Sequence, residues 1–235
     1  MRYPKELMPI AFLNRPDEVA RPVTVAELAL NMVRAARISH CFMVVSPSKP
    51  EILKYFGNGQ DLSLHIAYVS QESARGLANA VDCAYEWVRE DNVALVMPDT
   101  VISPEGALGT VTEILESQHA DVVLGVFPTE IPEQLGPVRM SAGGVVDEVL
   151  DKPAHTDIRN CWGLAAWGPR FTELLHRFVA DTPDGQTPSV GLAFNAAVQR
   201  GLKVRAVLFD GGQYIDVGSP AGVRAALAAT SLEIH

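Results

Sequence analysis

Cysteine is scarce in this 235-residue sequence: Cys41, Cys83 and Cys161 lie far apart, with no C-x-x-C pair. That spacing argues against a zinc cluster or a disulfide scaffold and predicts reduced, buried thiols in a cytoplasmic protein. Long apolar runs are missing as well. None approaches the roughly 20 residues that a membrane helix needs, and Pro4, Glu6 and Pro9 break the start too early for a signal peptide. Cations are few, with 19 Lys and Arg against 28 Asp and Glu and a net charge of −9. Neither nucleic acid nor an anionic membrane is therefore expected as a partner. A chain this acidic that binds phosphates must gather a few cations in one place. No G-x-G-x-x-G follows an apolar run, so a dinucleotide fingerprint is missing too.

What remains is a chain that is 48% hydrophobic, enough to bury a core in one domain spanning residues 1–235. Thr24 and Glu27 have capping-box spacing, and Val25, Leu28, Ala29, Met32 and Val33 share one face, predicting a helix over Thr24–Arg37. Cys41–Val45 is wholly apolar and stops at Ser46-Pro47, as a strand buried on both sides would. Strands are likewise expected at His65–Gln71, Val93–Met97 and Asp121–Phe127, with helices at Gly76–Glu90 and Pro104–Gln118. Further on, helices are expected at Pro169–Val179 and Val190–Arg200, and strands at Lys203–Phe209 and Gln213–Gly218. Between Gly136 and Pro169 the segments are short and punctuated by Gly and Pro, as in a small added β-segment. The alternation predicts an α/β, doubly wound (Rossmann-like), mostly parallel sheet with helices on both faces.

Ligands of open parallel sheets sit beyond the carboxyl ends of the strands. Asp99 and Asp216 fall at such ends, after apolar runs where a buried charge needs a partner. Magnesium takes one or two carboxylates and completes its octahedron from water and phosphate. Two aspartates this far apart in sequence serve it only if the fold joins their strands; otherwise each is an ordinary turn or strand-end residue. Lys152 precedes Pro153, which predicts an extended backbone that aims its ammonium outward, toward a phosphate or simply toward solvent. Lys5 follows Pro4 and carries the same two readings. Gln71 offers an amide that could meet a base edge, and Gly76 permits close backbone approach. A loop glutamine and a helix-start glycine are the plainer alternatives.

The order of these pieces is more specific than any one of them. PKELMPI, YFGNG, HIAYVSQESARGLANAV, LVMPDT, VLDKP, NCWGLAAW and YIDVGSP, taken together, resemble the sugar-1-phosphate nucleotidylyltransferases. The likeness runs from about Tyr3 to Ala226. It implies a doubly wound fold and an enzyme that joins a nucleoside triphosphate, dTTP or UTP, to a sugar phosphate with release of pyrophosphate. It further implies Mg2+ held by Asp99 and Asp216, and a catalytic role for Lys5 and Asp99. Gln71 and Gly76 would read the base, while Gly136, Asp151, Lys152 and Gly163 would hold the sugar phosphate. Ala165 and Ala166 would line that pocket, with less bulk than the family usually places there. The oligomeric state is left open, a homo-oligomer included.

The likeness also implies a first central strand and a G-x-G-T-R loop ahead of PKELMPI, and the sequence carries neither. The slot for that strand falls between Cys41–Val45 and Val93–Met97. Either the two neighbours pair directly, or two rows of backbone groups stay unpaired. Little or no activity is expected of the 235 residues by themselves. The competing expectation is a non-catalytic, nucleotide- or sugar-phosphate-binding regulatory homologue on the same fold. A nucleotide-sugar-dependent glycosyltransferase is disfavoured, because Met97-Pro98-Asp99-Thr100 has one aspartate where a D-x-D motif has two.

Overall fold

The computed structural model describes residues 4–13, 21–183 and 185–230. A single 3-10 turn at Lys5–Leu7 leads into a hairpin of β1 (Pro9–Leu13) and β2 (Arg21–Thr24), followed by α1 (Val25–Ala35), β3 (His40–Val45), α2 (Pro50–Phe56) and β4 (His65–Ser70). Next come α3 (Gly76–Asp82), α4 (Tyr85–Val88), β5 (Val93–Leu95), β6 (Thr100–Ser103), α5 (Ala107–Ser117) and β7 (Val122–Pro128). A small hairpin of β8 (Val138–Met140) and β9 (Val146–Val149) precedes β10 (Asn160–Trp167), α6 (Pro169–Ala180) and α7 (Val190–Gln199). The chain closes with β11 (Val204–Leu208), β12 (Gln213–Asp216) and α8 (Pro220–Thr230).

The start of α1 shows why the sequence folds as it does. The Thr24 side chain accepts from the Glu27 N–H, while Glu27 Oε2 accepts from the Thr24 N–H at 3.0 Å. Glu27 is 2% exposed. Its buried charge is balanced by Arg21 at 2.7 Å and by the Tyr55 hydroxyl at 3.0 Å, as a desolvated carboxylate requires. The expected helix over Gly76–Glu90 is divided into α3 and α4, since the Ala84 N–H bonds back to Val81 and tightens the turn.

The doubly wound α/β layering is as expected. One apolar cluster joins Val122, Leu124, Ala165 and Trp167 to α6 and α7 on one face. Another joins Val123, Phe127, Leu164 and Ala166 to α1 and α5 on the opposite face. Ala165 and Ala166 are therefore sheet-core residues, each fully buried. Strand direction is more mixed than periodicity predicts. The main sheet runs β11-β7-β10-β5, with β11 parallel to β7 but β10 antiparallel to both of its neighbours. The connection from β7 to β10 contains the β8–β9 hairpin instead of a crossover helix, so β10 returns in the opposite sense.

β3 and β4 form a separate parallel pair. Among the described residues no ladder joins β3 to β5. A cavity of about 1110 Å³ lies between them, so the two neighbours of the expected slot stay apart rather than pairing directly. The apolar run Cys41–Val45 accordingly does not end up buried on both sides: only Met43 of β3 is buried, and Phe42 is 37% exposed.

Candidate active site

Asp99 and Asp216 meet, and a strand not expected from the sequence brings them together. After Asp99 the chain forms β6, which pairs antiparallel with β12 so that Thr100 faces Asp216. The Val217 N–H then donates to the Asp99 carbonyl at 3.1 Å. The β-branched run Thr100-Val101-Ile102 was the available sign of β6. Asp216 Oδ1 accepts from the Gly218 N–H at 2.7 Å, which fixes the carboxylate at the strand end.

Lys5 lies in the first turn and forms an ion pair with Asp99 Oδ2. Burial alone would push its pKa down. The hydrogen bond and charge of Asp99, then the charges of Asp216 and Glu6, outweigh that and hold it above the ordinary lysine value. Both aspartates also reach Tyr214 on β12, whose hydroxyl pKa is pushed up by burial and then by Asp216, Cys161 and Asp99. Glu6, beside Lys5, accepts from Lys49 at 2.6 Å, which ties the turn to the segment leaving β3. Two carboxylates and their lysine thus stand at the carboxyl ends of the strands.

This donor set fits a hard divalent cation. Among the described residues no group of three His, Cys, Asp or Glu could hold a metal. A pair of carboxylates is nevertheless what magnesium uses when phosphate and water supply its remaining ligands. Lys5 already provides a cation against Asp99, so the pair is arranged for positive charge.

Gln71 and Gly76 are in contact. Gln71 Nε2 donates to the Gly76 carbonyl at 3.2 Å and to Asn79 Oδ1 at 2.9 Å, while its backbone N–H donates to Val45 at 2.9 Å. Asn79, not singled out in the sequence, thus orients the Gln71 amide; its place one turn into α3 was the only sign. Gly76 has φ +87°, and a Cβ there would lie 2.4 Å from Thr187 Cγ2. The close approach it permits is thus to the loop before α7.

The residues expected at the sugar phosphate are spread around β10. Gly136 lets the Trp162 ring lie against the backbone, where a Cβ would come within 2.2 Å of Trp162 Nε1. Gly163 sits at an irregularity in the β10–β7 register and makes room for Tyr214, whose Cδ2 would be 2.6 Å from an added Cβ. It thereby seats β12, and with it Asp216. Asp151 and Lys152 are exposed in the turn after β9. Lys152 has φ +45°, which corrects the extended conformation expected before Pro153. Its N–H donates to the Leu135 carbonyl at 2.8 Å, and this bond, made across the turn, accompanies the left-handed backbone.

The profile of the nucleotidyl transferase family matches residues 6–231. The chain belongs to that family. Similar proteins include the low-salt glycan biosynthesis nucleotidyltransferase Agl11 of Haloferax volcanii, 28% identical over 151 residues, covering 64% of this chain and 39% of that protein. A glucose-1-phosphate thymidylyltransferase of Streptomyces griseus is 26% identical over 151 residues, with the same coverage of 64% and 39%. The matched segment thus spans well under half the length of these curated relatives. Among solved structures, a UDP-glucose pyrophosphorylase complexed with UDP-glucose superposes with a TM-score of 0.78 at 18% identity, covering 98% of this chain and 91% of that one. The UDP-glucose pyrophosphorylase of Acinetobacter baumanii gives 0.75 at 22% identity, covering 98% and 86%. At these identities the structures show the fold that this nucleotidyl transferase family member shares with them. No helix among its described residues is long and apolar enough to cross a membrane.

Proposed function

We propose that this chain carries the reacting centre of a sugar-phosphate nucleotidylyltransferase, working in the cytoplasm on a nucleoside triphosphate, dTTP or UTP, and a sugar phosphate. The observation that carries the reading is the meeting of Asp99, Asp216 and Lys5 at the carboxyl ends of the strands. In this reading an oxygen of the sugar phosphate attacks the α-phosphorus in line, the bond to the β-phosphate oxygen breaks, and pyrophosphate leaves. Both reactants are anionic, so the barrier is largely repulsion and disorder, and fixed positive charge lowers it. Asp99 and Asp216 would hold Mg2+, which when bound neutralises phosphate charge. Lys5, paired with Asp99, would offer its ammonium to a phosphate oxygen of the reactants. Gln71, oriented by Asn79, and Gly76 would face the base. Gly136, Asp151, Lys152 and Gly163 would serve the sugar phosphate, the first and last by seating Trp162 and Tyr214.

A non-catalytic, ligand-binding homologue is the second reading. The Gln71 amide donates to Gly76 and Asn79 of α3, and Lys5 is bound to Asp99, so both groups already have partners within the chain. Pyrophosphate release from triphosphate and sugar-1-phosphate panels with Mg2+ separates the two. Slow turnover that is abolished by Asp99→Ala supports the enzyme. Calorimetric binding of triphosphate with no pyrophosphate supports the second reading, and Asp99→Ala at full rate overturns the metal assignment.

A further inference from the structure

The turn that carries Lys152 continues the β8–β9 hairpin beyond its strands. Val138 pairs with Val149, and the Leu150 and Lys152 N–H groups donate to the Pro137 and Leu135 carbonyls at 2.9 and 2.8 Å. In that register Gly136 stands opposite Asp151. They form a pair without hydrogen bonds of its own, whose side-chain positions share one face about 5 Å apart. On the other flank the Trp162 N–H donates to the Gly136 carbonyl at 3.0 Å. The indole then turns back over Gly136, where an added Cβ would lie 2.2 Å from Trp162 Nε1. Asp151 and the indole N–H therefore stand on the same face, on either side of Gly136.

The indole ring is held, but its polar atom is not used. Phe194 meets Trp162 edge-on, with ring centroids 5.3 Å apart and planes at 87°. Gly191, in the first turn of α7, lies so near that an added Cβ would come 3.6 Å from Nε1. Two glycines thus keep side chains away from the one polar atom of the ring. Among the described residues neither Trp162 Nε1 nor the Asp151 carboxylate makes a hydrogen bond, and Glu6 Oε2 is the one sealed side-chain polar atom without a partner. Asp151 is exposed, and the indole N–H accordingly reaches solvent as well. A donor and an acceptor about 5 Å apart, both free, call for a group that accepts from one and donates to the other. A hydroxyl does both. Accepting at about 2.9 Å and donating at about 2.7 Å, it spans about 4.6 Å.

We propose that Trp162 is a specificity-determining residue for the acceptor, its indole N–H and the Asp151 carboxylate bridging one ring hydroxyl of a hexose 1-phosphate over Gly136. The inference rests on the nucleotidyl transfer reading, in which Asp151 and Lys152 serve the sugar phosphate, and adds to it the group that reads the sugar. A carboxylate by itself takes a proton from any hydroxyl in reach. The pair requires a hydroxyl that also accepts from the indole, so a ring lacking that one hydroxyl loses two bonds together.

The test is calorimetric titration of the whole 235-residue chain, with Mg2+, by a panel of hexose 1-phosphates and then by the monodeoxy analogues of the tightest one. Trp162→Phe keeps a ring against Phe194 and removes the N–H. It should weaken the tightest sugar phosphate about fivefold while the urea midpoint stays in place and the affinity for inorganic phosphate is unchanged. One deoxy analogue should bind the unaltered chain at least as weakly, and Trp162→Phe should cost it nothing further, because both changes remove the same bond. The same analogue should be the one insensitive to Asp151→Ala. The assignment of Trp162 is overturned by sugar phosphate binding that Trp162→Phe leaves unchanged, or that it weakens equally for every analogue. If no hexose 1-phosphate binds, the sugar-phosphate site itself is overturned, and this inference with it.

Discussion

β7 and β3 are both short apolar strands beside helices, yet they have different fates. Every residue of β7 from Val122 to Phe127 is buried, whereas β3 buries Met43 alone. The reason is neighbours, not composition. β7 lies between β10 and β11 and has helices on both faces. Among the described residues β3 has one partner and an open edge. An apolar strand is therefore only as buried as its neighbours allow: Met43 of β3 shares one apolar cluster with Phe127 of β7, yet the molecule has a closed half around β7 and an open half around the cavity. The candidate active site straddles the boundary: Asp99 leaves the open-edged β5, while Asp216 rests on β12 and, through Tyr214, on the closed half.

The largest contrast should come from truncating one aromatic in each half. Phe127 is fully buried and stacks with Phe209 at 5.2 Å between centroids. Phe127→Ala should cost about 3–5 kcal/mol, the usual range for a buried aromatic. Phe42, partly exposed and stacked only on Trp87, should lose about 1 kcal/mol as Phe42→Ala. Urea unfolding of the two variants measures the difference. Equal losses would mean that the open edge of β3 does not lower what an aromatic there contributes, and that the contrast is wrong.

A smaller effect probes the boundary itself. Gly163→Ala puts a Cβ against Tyr214 and Phe127, at 2.6 and 3.0 Å, and overpacking of this kind costs about 1–3 kcal/mol. The strain should be relieved by displacement of β12, so triphosphate-dependent Mg2+ affinity should fall by more than stability alone explains. The double variant Gly163→Ala/Tyr214→Leu should regain stability; if it does not, Tyr214 is not what the glycine accommodates.

Much of this was legible in the residues. Thr24 and Glu27 marked the start of α1 because a capping box is local chemistry, and the apolar run of β7 marked it because burial on two faces leaves no polar position. β10 was expected only within a small added β-segment, and its pairing with β5 and β7 puts it in the main sheet instead. Asp99 and Asp216 stood out as charges at the ends of apolar strands. Their meeting was implied by the likeness and not by the residues themselves, because it depends on β6, four residues whose partner lies more than a hundred positions away. Lys152 shows the opposite limit. Pro153 favours an extended neighbour, but one bond from the Lys152 N–H to Leu135 belongs to the tertiary structure, and the backbone there is left-handed. Ala165 and Ala166 were placed by likeness at a pocket, while the packing of β10 against two helix layers puts them in the core.

The mildest effect concerns Lys5, where the two halves touch. Its pKa is raised in the folded chain by Asp99, with Asp216 and Glu6 adding to it against the opposing effect of burial. A lysine raised above its unfolded value contributes stability that is fully present below the unfolded pKa, near 10.5, and is lost as pH climbs through the folded one. With its side chain 46% exposed, solvent screening limits the pair to about 0.5 kcal/mol. Lys5→Met should therefore lower the urea midpoint slightly at pH 7 to 9, and the difference from the parent chain should close at alkaline pH above the folded lysine's range. Asp99→Asn should close the same gap at every pH, because it removes the partner that raises Lys5. If Lys5→Met instead costs the same at all pH values, the contribution of Lys5 is packing of its methylenes across the boundary, and its charge is held for a phosphate and not for the fold.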